Sequence, residues 1–228
     1  MKIGIILFSV SLTASAAAIV DNQGFYAMRE QQIFKAEDKK EFHWGYMKGD
    51  DIPYFSWNGF ITGKEVYFEV HGARVRLHIG NKWTVRSFRM APALPSGDKG
   101  SPPLDDKGAD IYIKSAKDER ESLICIQSLG PDIYTRPRPY WEVYLITDPL
   151  GDPNLYRISG INADCRGIER TQNGTLLVPT WDVHKDVTPG VVISYYAIEK
   201  KRFRKTDVLF TGSIESEYAD KYTIDNAQ

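Results

Sequence analysis

The sequence predicts a mainly β protein: an antiparallel sandwich or curved meander with a short N-terminal helical segment, the alternative closures being an incomplete β-propeller or a barrel. Three observations carry this. From Phe42 onward, aromatic and β-branched clusters are separated by Gly, Pro, Asn and Asp, the pattern of short strands and tight turns. These segments recur at short intervals, as in a meander. No matching residues recur at a fixed period, which counts against the propeller.

Residues 1–18 read as a secretory signal peptide. Lys2 supplies the positive start, residues 3–12 a short apolar run, and Thr13-Ala14-Ser15-Ala16-Ala17-Ala18 the small-residue end, with cleavage expected after Ala16 or Ala18. The run is well short of the roughly 20 apolar residues that span a bilayer, and no later segment is long and apolar enough to do so. Residues 19–228 are then expected to form a single β-rich domain in a periplasmic or secreted compartment. The short, alanine-ended signal points to a bacterial source.

Residues 26–40 are polar and rich in helix formers without a clear apolar stripe, which suggests a short helix or a strap. The clearest local structure is a hairpin around Gly80-Asn81-Lys82. Val75, Leu77 and Ile79 alternate with Arg74, Arg76 and His78, giving the incoming strand one apolar and one cationic face. A two-residue loop would set Val75 opposite Arg86, whereas a three-residue loop pairs Ile79 with Trp83, Leu77 with Val85 and Val75 with Ser87. The second keeps the apolar face intact and is the expected register. It would place Arg74, Arg76, His78 and Arg86 on one face.

Residues 91–108 hold Pro92, Pro95, Pro102 and Pro103 among several glycines, so they read as a long loop or a sub-unit boundary. Strands are expected over 110–113, 123–129, 140–147, 155–161 and 168–171. Gln172-Asn173-Gly174 supplies a turn before a strand over 175–181, and 199–202 joins a last hairpin of 191–198 with 203–210.

Cys125 and Cys165 are an even pair in a chain bound for an oxidising compartment, so a disulfide is expected. The formal net charge of −1, about −2 once Lys2 leaves with the signal, lacks the basic excess that nucleic-acid binding requires.

No motif fixes a catalytic activity, and none calls for a cofactor or a metal. Asn162 to Gly167 follows a calcium loop only superficially, because Arg166 stands where a ligand oxygen is needed. His43, His71, His78 and His184 lack zinc-site spacing. Ser96-Gly97-Asp98-Lys99 lies in a Pro/Gly loop rather than at a helix start. Glu65, Glu69, Glu142 and Asp148 are carboxylates of the type a glycoside hydrolase uses, with no pair singled out. Asn173-Gly174-Thr175 is a formal glycosylation sequon that hairpin geometry also explains.

Surfaces say more. Arg74, Arg76, His78 and Arg86 form an anion-seeking patch, and Trp44, Tyr54 and Trp57 belong to an aromatic cluster interrupted by glycine and proline. Arg138 and Trp141 form a smaller one. The expected function is an exported, non-enzymatic protein that binds another macromolecule. A protein partner presenting an anionic surface or an enzyme cleft comes first, as for an inhibitor or immunity-type protein. A glycan partner, in a carbohydrate-binding or carbohydrate-active envelope protein, is the alternative.

Overall fold

The computed structural model describes residues 18–41, 43–46, 53–72, 74–94, 109–129, 140–184, 190–214 and 221–225. Residues 1–17 of the segment expected as a signal, most of the Pro/Gly loop and Arg138 lie outside them. The protein is mostly β, arranged in three sheets among the described residues.

The chain opens with β1 (Ala18–Val20), helix α1 (Asn22–Ala27) and β2 (Lys39–Lys40). The first sheet follows in chain order: β3 (His43–Tyr46), β4 (Pro53–Ile61), β5 (Lys64–His71), β6 (Arg74–Ile79) and β7 (Lys82–Ser87). Next come β8 (Ala93–Leu94), β9 (Ala109–Lys114), β10 (Leu123–Leu129), β11 (Tyr140–Thr147) and β12 (Asn154–Ile161). With β2 they build a central sheet in the order β2-β9-β10-β11-β12-β8. The third sheet contains β13 (Glu169–Arg170), β14 (Leu176–His184), β15 (Gly190–Glu199), β16 (Arg202–Ile214) and β17 (Tyr222–Ile224), ordered β1-β17-β16-β15-β14-β13. All these pairings are antiparallel except β12 with β8.

The central sheet is buried on both faces, which explains why β10 reads as an unbroken Leu-Ile-Cys-Ile run rather than an alternation. Ile124, Ile126 and Tyr144 point to a core shared with Phe55, Phe68 and Leu77 of the first sheet. Leu123, Cys125 and Leu145 point the other way, to a core shared with Val178 of β14. A third core lies on the third sheet under α1, where Phe25 and Tyr26 meet Trp181 and Phe210.

Cys125 and Cys165 form the expected disulfide, with Cα atoms 5.9 Å apart and both residues buried. The bridge ties β10 to the short 3₁₀ turn Cys165–Gly167.

The α-helix lies at Asn22–Ala27, upstream of most of the expected segment, and the residues after it form the strap. Asp21 caps α1 by accepting from the Gly24 N–H at 2.6 Å. Beyond the helix, Arg29 reaches Glu169, and Gln32 bridges the same residue's backbone. Ile33 and Phe34 then enter the second core.

The hairpin register differs from the expected one. Ile79 pairs with Lys82, so the loop is the two residues Gly80-Asn81 and Val75 stands opposite Arg86. Gly80 adopts φ +56°, the left-handed backbone that a tight hairpin loop takes at its first position. Mixing Arg86 into the apolar face costs little because β7 is an edge strand: the side chain runs outward and its Nε donates to the Pro153 carbonyl at 2.7 Å. Its guanidinium also meets Asp152 at 3.2 Å. Arg86 is therefore on the opposite face from Arg74, Arg76 and His78.

Candidate recognition face on the first sheet

Cross-strand registers define the outer face of the first sheet as rows running across the strands. One row is Tyr54, His71, Arg74 and Ser87; the next is His43, Ser56, Glu69, Arg76 and Val85; the third is Asn58, Tyr67, His78 and Trp83. The opposite face carries Phe55, Val70 and Val75, which the central sheet covers. Alternation in the sequence thus assigns one set of residues to the core and leaves the other outside.

The outer face combines charge with uncovered apolar groups. Phe60 is 68% exposed, Trp83 53% and Val85 51%. The Trp83 indole stacks on the His78 imidazole with ring centroids 4.3 Å apart, and Tyr67 approaches it edge-on at 6.2 Å. These three rings, with Asn58, Lys64, Glu65 and Gly80, line an open depression of about 760 Å³.

In the middle row Glu69 is nearly buried and accepts from the Tyr67 hydroxyl at 3.1 Å and from Arg76 at 3.4 Å. Burial and the bond to the Glu69 carboxylate hold the Tyr67 phenol above its ordinary pKa, keeping it a neutral donor. Arg76 is thus held in place. Arg74 is exposed and has no ion-pair partner among the described residues.

The sequence-selected residues separate into groups. Arg74, Arg76, His78 and Tyr54 share this face; Arg86 does not. Trp57 is a correction: it is 8% exposed and belongs to the core beneath the sheet, its indole lying over Gly59, where a side chain would collide with the ring. Trp141 is half-buried on the far side of the central sheet, packed against the second core. Trp44 lies on β3 with its side chain outside the described atoms, and Arg138 is outside the described residues.

The sequence reading passes over Tyr67, counts Phe60 among the clustered aromatics and sets Trp83 and Val85 on the apolar face of the hairpin, whereas all four lie on the outer face. The signal was present: a Gly-Asn dipeptide flanked by alternating residues favours the two-residue loop, and that loop places Trp83 directly opposite His78.

The other chemical candidates are dispersed or already engaged. His71 and His78 share the outer face, because the chain reverses at Gly72 (φ +54°), but they stand two rows apart on adjacent strands. Glu65 and Glu69 are four residues apart on one face of β5, and the Glu69 carboxylate is engaged by Tyr67 and Arg76. Glu142 is buried on the central sheet in a two-point ion pair with Arg157 at 2.9 and 3.1 Å, and it also accepts from Ser159. Asp148 accepts from the Asp152 N–H in a turn. Asp164 is occupied by Arg166, the residue that stands at the fifth position of the calcium-like loop. Asn173 accepts from the Thr175 N–H and the Thr171 hydroxyl within its own turn.

Comparison with known proteins returned no matching family model, no matching curated protein and no matching solved structure.

Proposed function

We propose that this chain is an exported, non-enzymatic binding protein that recognises an anionic face or segment of a protein partner through the outer face of the first sheet. The carrying observation is the union, on one sheet face, of exposed Trp83, Val85 and Phe60 with Arg74 and Arg76. Exposed aromatic and apolar groups beside fixed cations are the make-up of a protein interface, with rings and Arg supplying affinity and charge supplying orientation and on-rate. From residue 74 to 94 the chain contains Arg74, Arg76, Lys82, Arg86 and Arg89 and no Asp or Glu; Arg76 and Arg86 are paired with Glu69 and Asp152, which leaves Arg74, Lys82 and Arg89 as the cations a partner can meet. The disulfide supports an oxidising compartment. An inhibitor or immunity-type protein is the concrete version of this reading.

The test is affinity capture from envelope and culture extracts with the mature protein and its Arg74→Glu variant. Arg74 is the residue to reverse, because Arg76→Glu would set a second carboxylate beside Glu69 and disturb the fold. Stoichiometric capture that weakens with salt and is lost in Arg74→Glu, at unchanged melting temperature, is the expected result. Capture indifferent to both changes would overturn the reading.

One observation favours a glycan partner as the second reading: the Tyr67, His78 and Trp83 rings line a depression with Glu65, Lys64 and Asn58 beside them. Retention on polysaccharide beads that is lost in Trp83→Ala and untouched by Arg74→Glu would select it.

A further inference from the structure

We infer that the free edge of β7 is a strand-addition site, and that its occupant is an extended acidic segment of a partner protein. This rests on the protein-binding reading above and adds the mode of binding.

Because only Gly80 and Asn81 separate β6 from β7, the pair Ile79–Lys82 exchanges backbone hydrogen bonds, and alternation extends this to Leu77–Thr84 and Val75–Arg86. The intervening residues Trp83, Val85 and Ser87 therefore point their N–H and C=O groups away from β6. β7 ends the sheet, and no strand pairs with its outer side among the described residues. The Val85 carbonyl accepts from the Arg86 guanidinium at 3.1 Å, an exposed bond that strand pairing would replace. The N–H groups of Trp83 and Val85 have no partner among the described residues.

The same residues that offer free backbone groups also end the side-chain rows. Tyr67, His78 and Trp83 stand on successive strands, and the His78 ring covers one face of Trp83. Trp83 as a whole stays 53% exposed. Val85 likewise ends the row of Glu69 and Arg76 half-exposed. A further strand would place its own side chains on these two rows, burying Trp83 and Val85 and completing the ladder, as peptides do when they extend a sheet.

Charge selects the occupant. A second copy would bring a hairpin carrying Arg74, Arg76, Lys82, Arg86 and Arg89 against its own image, and like charges across strands oppose pairing. On an added strand whose apolar residues meet Trp83 and Val85, alternating Asp or Glu residues fall on the opposite face, beside Lys82 and Arg86.

The test uses a library of short peptides in which Asp or Glu alternates with Val, Ile, Tyr and Phe, screened against the mature protein. The best binder is remade with N-methyl groups on alternate residues, which removes the hydrogen bonds of one strand edge and keeps the side chains. The second arm is Val85→Pro, which deletes an outward N–H that the β6–β7 ladder does not use, a place where an edge strand tolerates proline. Binding that falls by about tenfold or more in one N-methylated register and in Val85→Pro, at an unchanged melting temperature, supports strand addition. Equal binding of both methylated registers overturns the mode while leaving an anion-binding face in place. Absence of binding from the whole library, or self-association of the protein alone with protection of β7, overturns the acidic-segment occupant. Binding only to glycan, lost in Trp83→Ala, overturns both the mode and the protein-binding reading.

Discussion

His78 and Trp83 stand directly opposite each other on β6 and β7, their rings stacked with centroids 4.3 Å apart and planes 21° apart. This position is a non-hydrogen-bonded pair of the ladder, where opposed residues approach most closely and side chains meet. Trp83 is consequently held on one face and stays 53% exposed. Trp83→Ala should lower stability by only about 1 kcal/mol, the worth of an exposed cross-strand aromatic pair, while removing partner binding. A denaturant midpoint shift well beyond that would make Trp83 a core residue and weaken its role as a contact.

The strap is held by a different kind of bond. Glu169, 1% exposed, accepts from Arg29 at 2.7 and 3.0 Å and from the Tyr195 hydroxyl at 2.8 Å, while the Arg29 guanidinium lies over the Phe210 ring at 4.7 Å. Arg29→Ala strands a buried carboxylate and should cost about 3–5 kcal/mol in denaturant unfolding. Glu169→Gln keeps hydrogen-bonding capacity without the charge and should cost less. Equal and small losses in both variants would show that the strap is not latched here.

Cys125 and Cys165 close a loop of 40 residues between β10 and the turn before β13. Cys125→Ser should lower stability by about 3–4 kcal/mol in the chain-entropy model. Because both cysteines are in the bridge, a thiol reagent should find nothing to label in the unreduced protein even in denaturant, and burial should make reduction slow until denaturant is added. Rapid labelling without reductant would contradict the bridge.

Burial pushes the Tyr112 phenol up to about 12 from 10.0, and burial holds the Tyr26 and Tyr195 phenols well above 10.0, with the Glu169 carboxylate adding to the effect on Tyr195. A raised folded-state pKa gives stability that is fully present below the unfolded value and is lost as pH climbs through the folded one. Stability should be insensitive to these groups up to about pH 10 and fall above it, with tyrosinate absorbance rising together with unfolding. Three phenols titrating freely near pH 10 in the folded protein would contradict their burial.

Much of the fold was legible in the sequence because it rests on local chemistry. The Gln172-Asn173-Gly174 turn, the Asp148-Pro149 stop and the β15–β16 hairpin all lie where turn residues interrupt apolar runs. The two cysteines pair as expected. What local pattern lacks is knowledge of which sheet covers which. Trp57 looked available because its neighbours are glycine, proline and polar residues, yet its strand partner Phe68 and the central sheet enclose it. Arg86 looked as though it had to join the cationic face because an apolar face was assumed to be uninterrupted. At an edge strand that assumption fails, since a long side chain leaves the core through the open side and finds Pro153 and Asp152, residues far away in sequence. Correcting that one register is also what brings Trp83 onto the face with Arg74, Arg76 and His78.

The most direct test of the outer sheet face as the recognition surface is residue-resolved amide hydrogen exchange of the protein, alone and with its captured partner or peptide bound. The account predicts slowed exchange at Trp83, Val85 and Ser87, with little change across the third sheet. Protection centred on the third sheet, with these three amides unaffected, would contradict it.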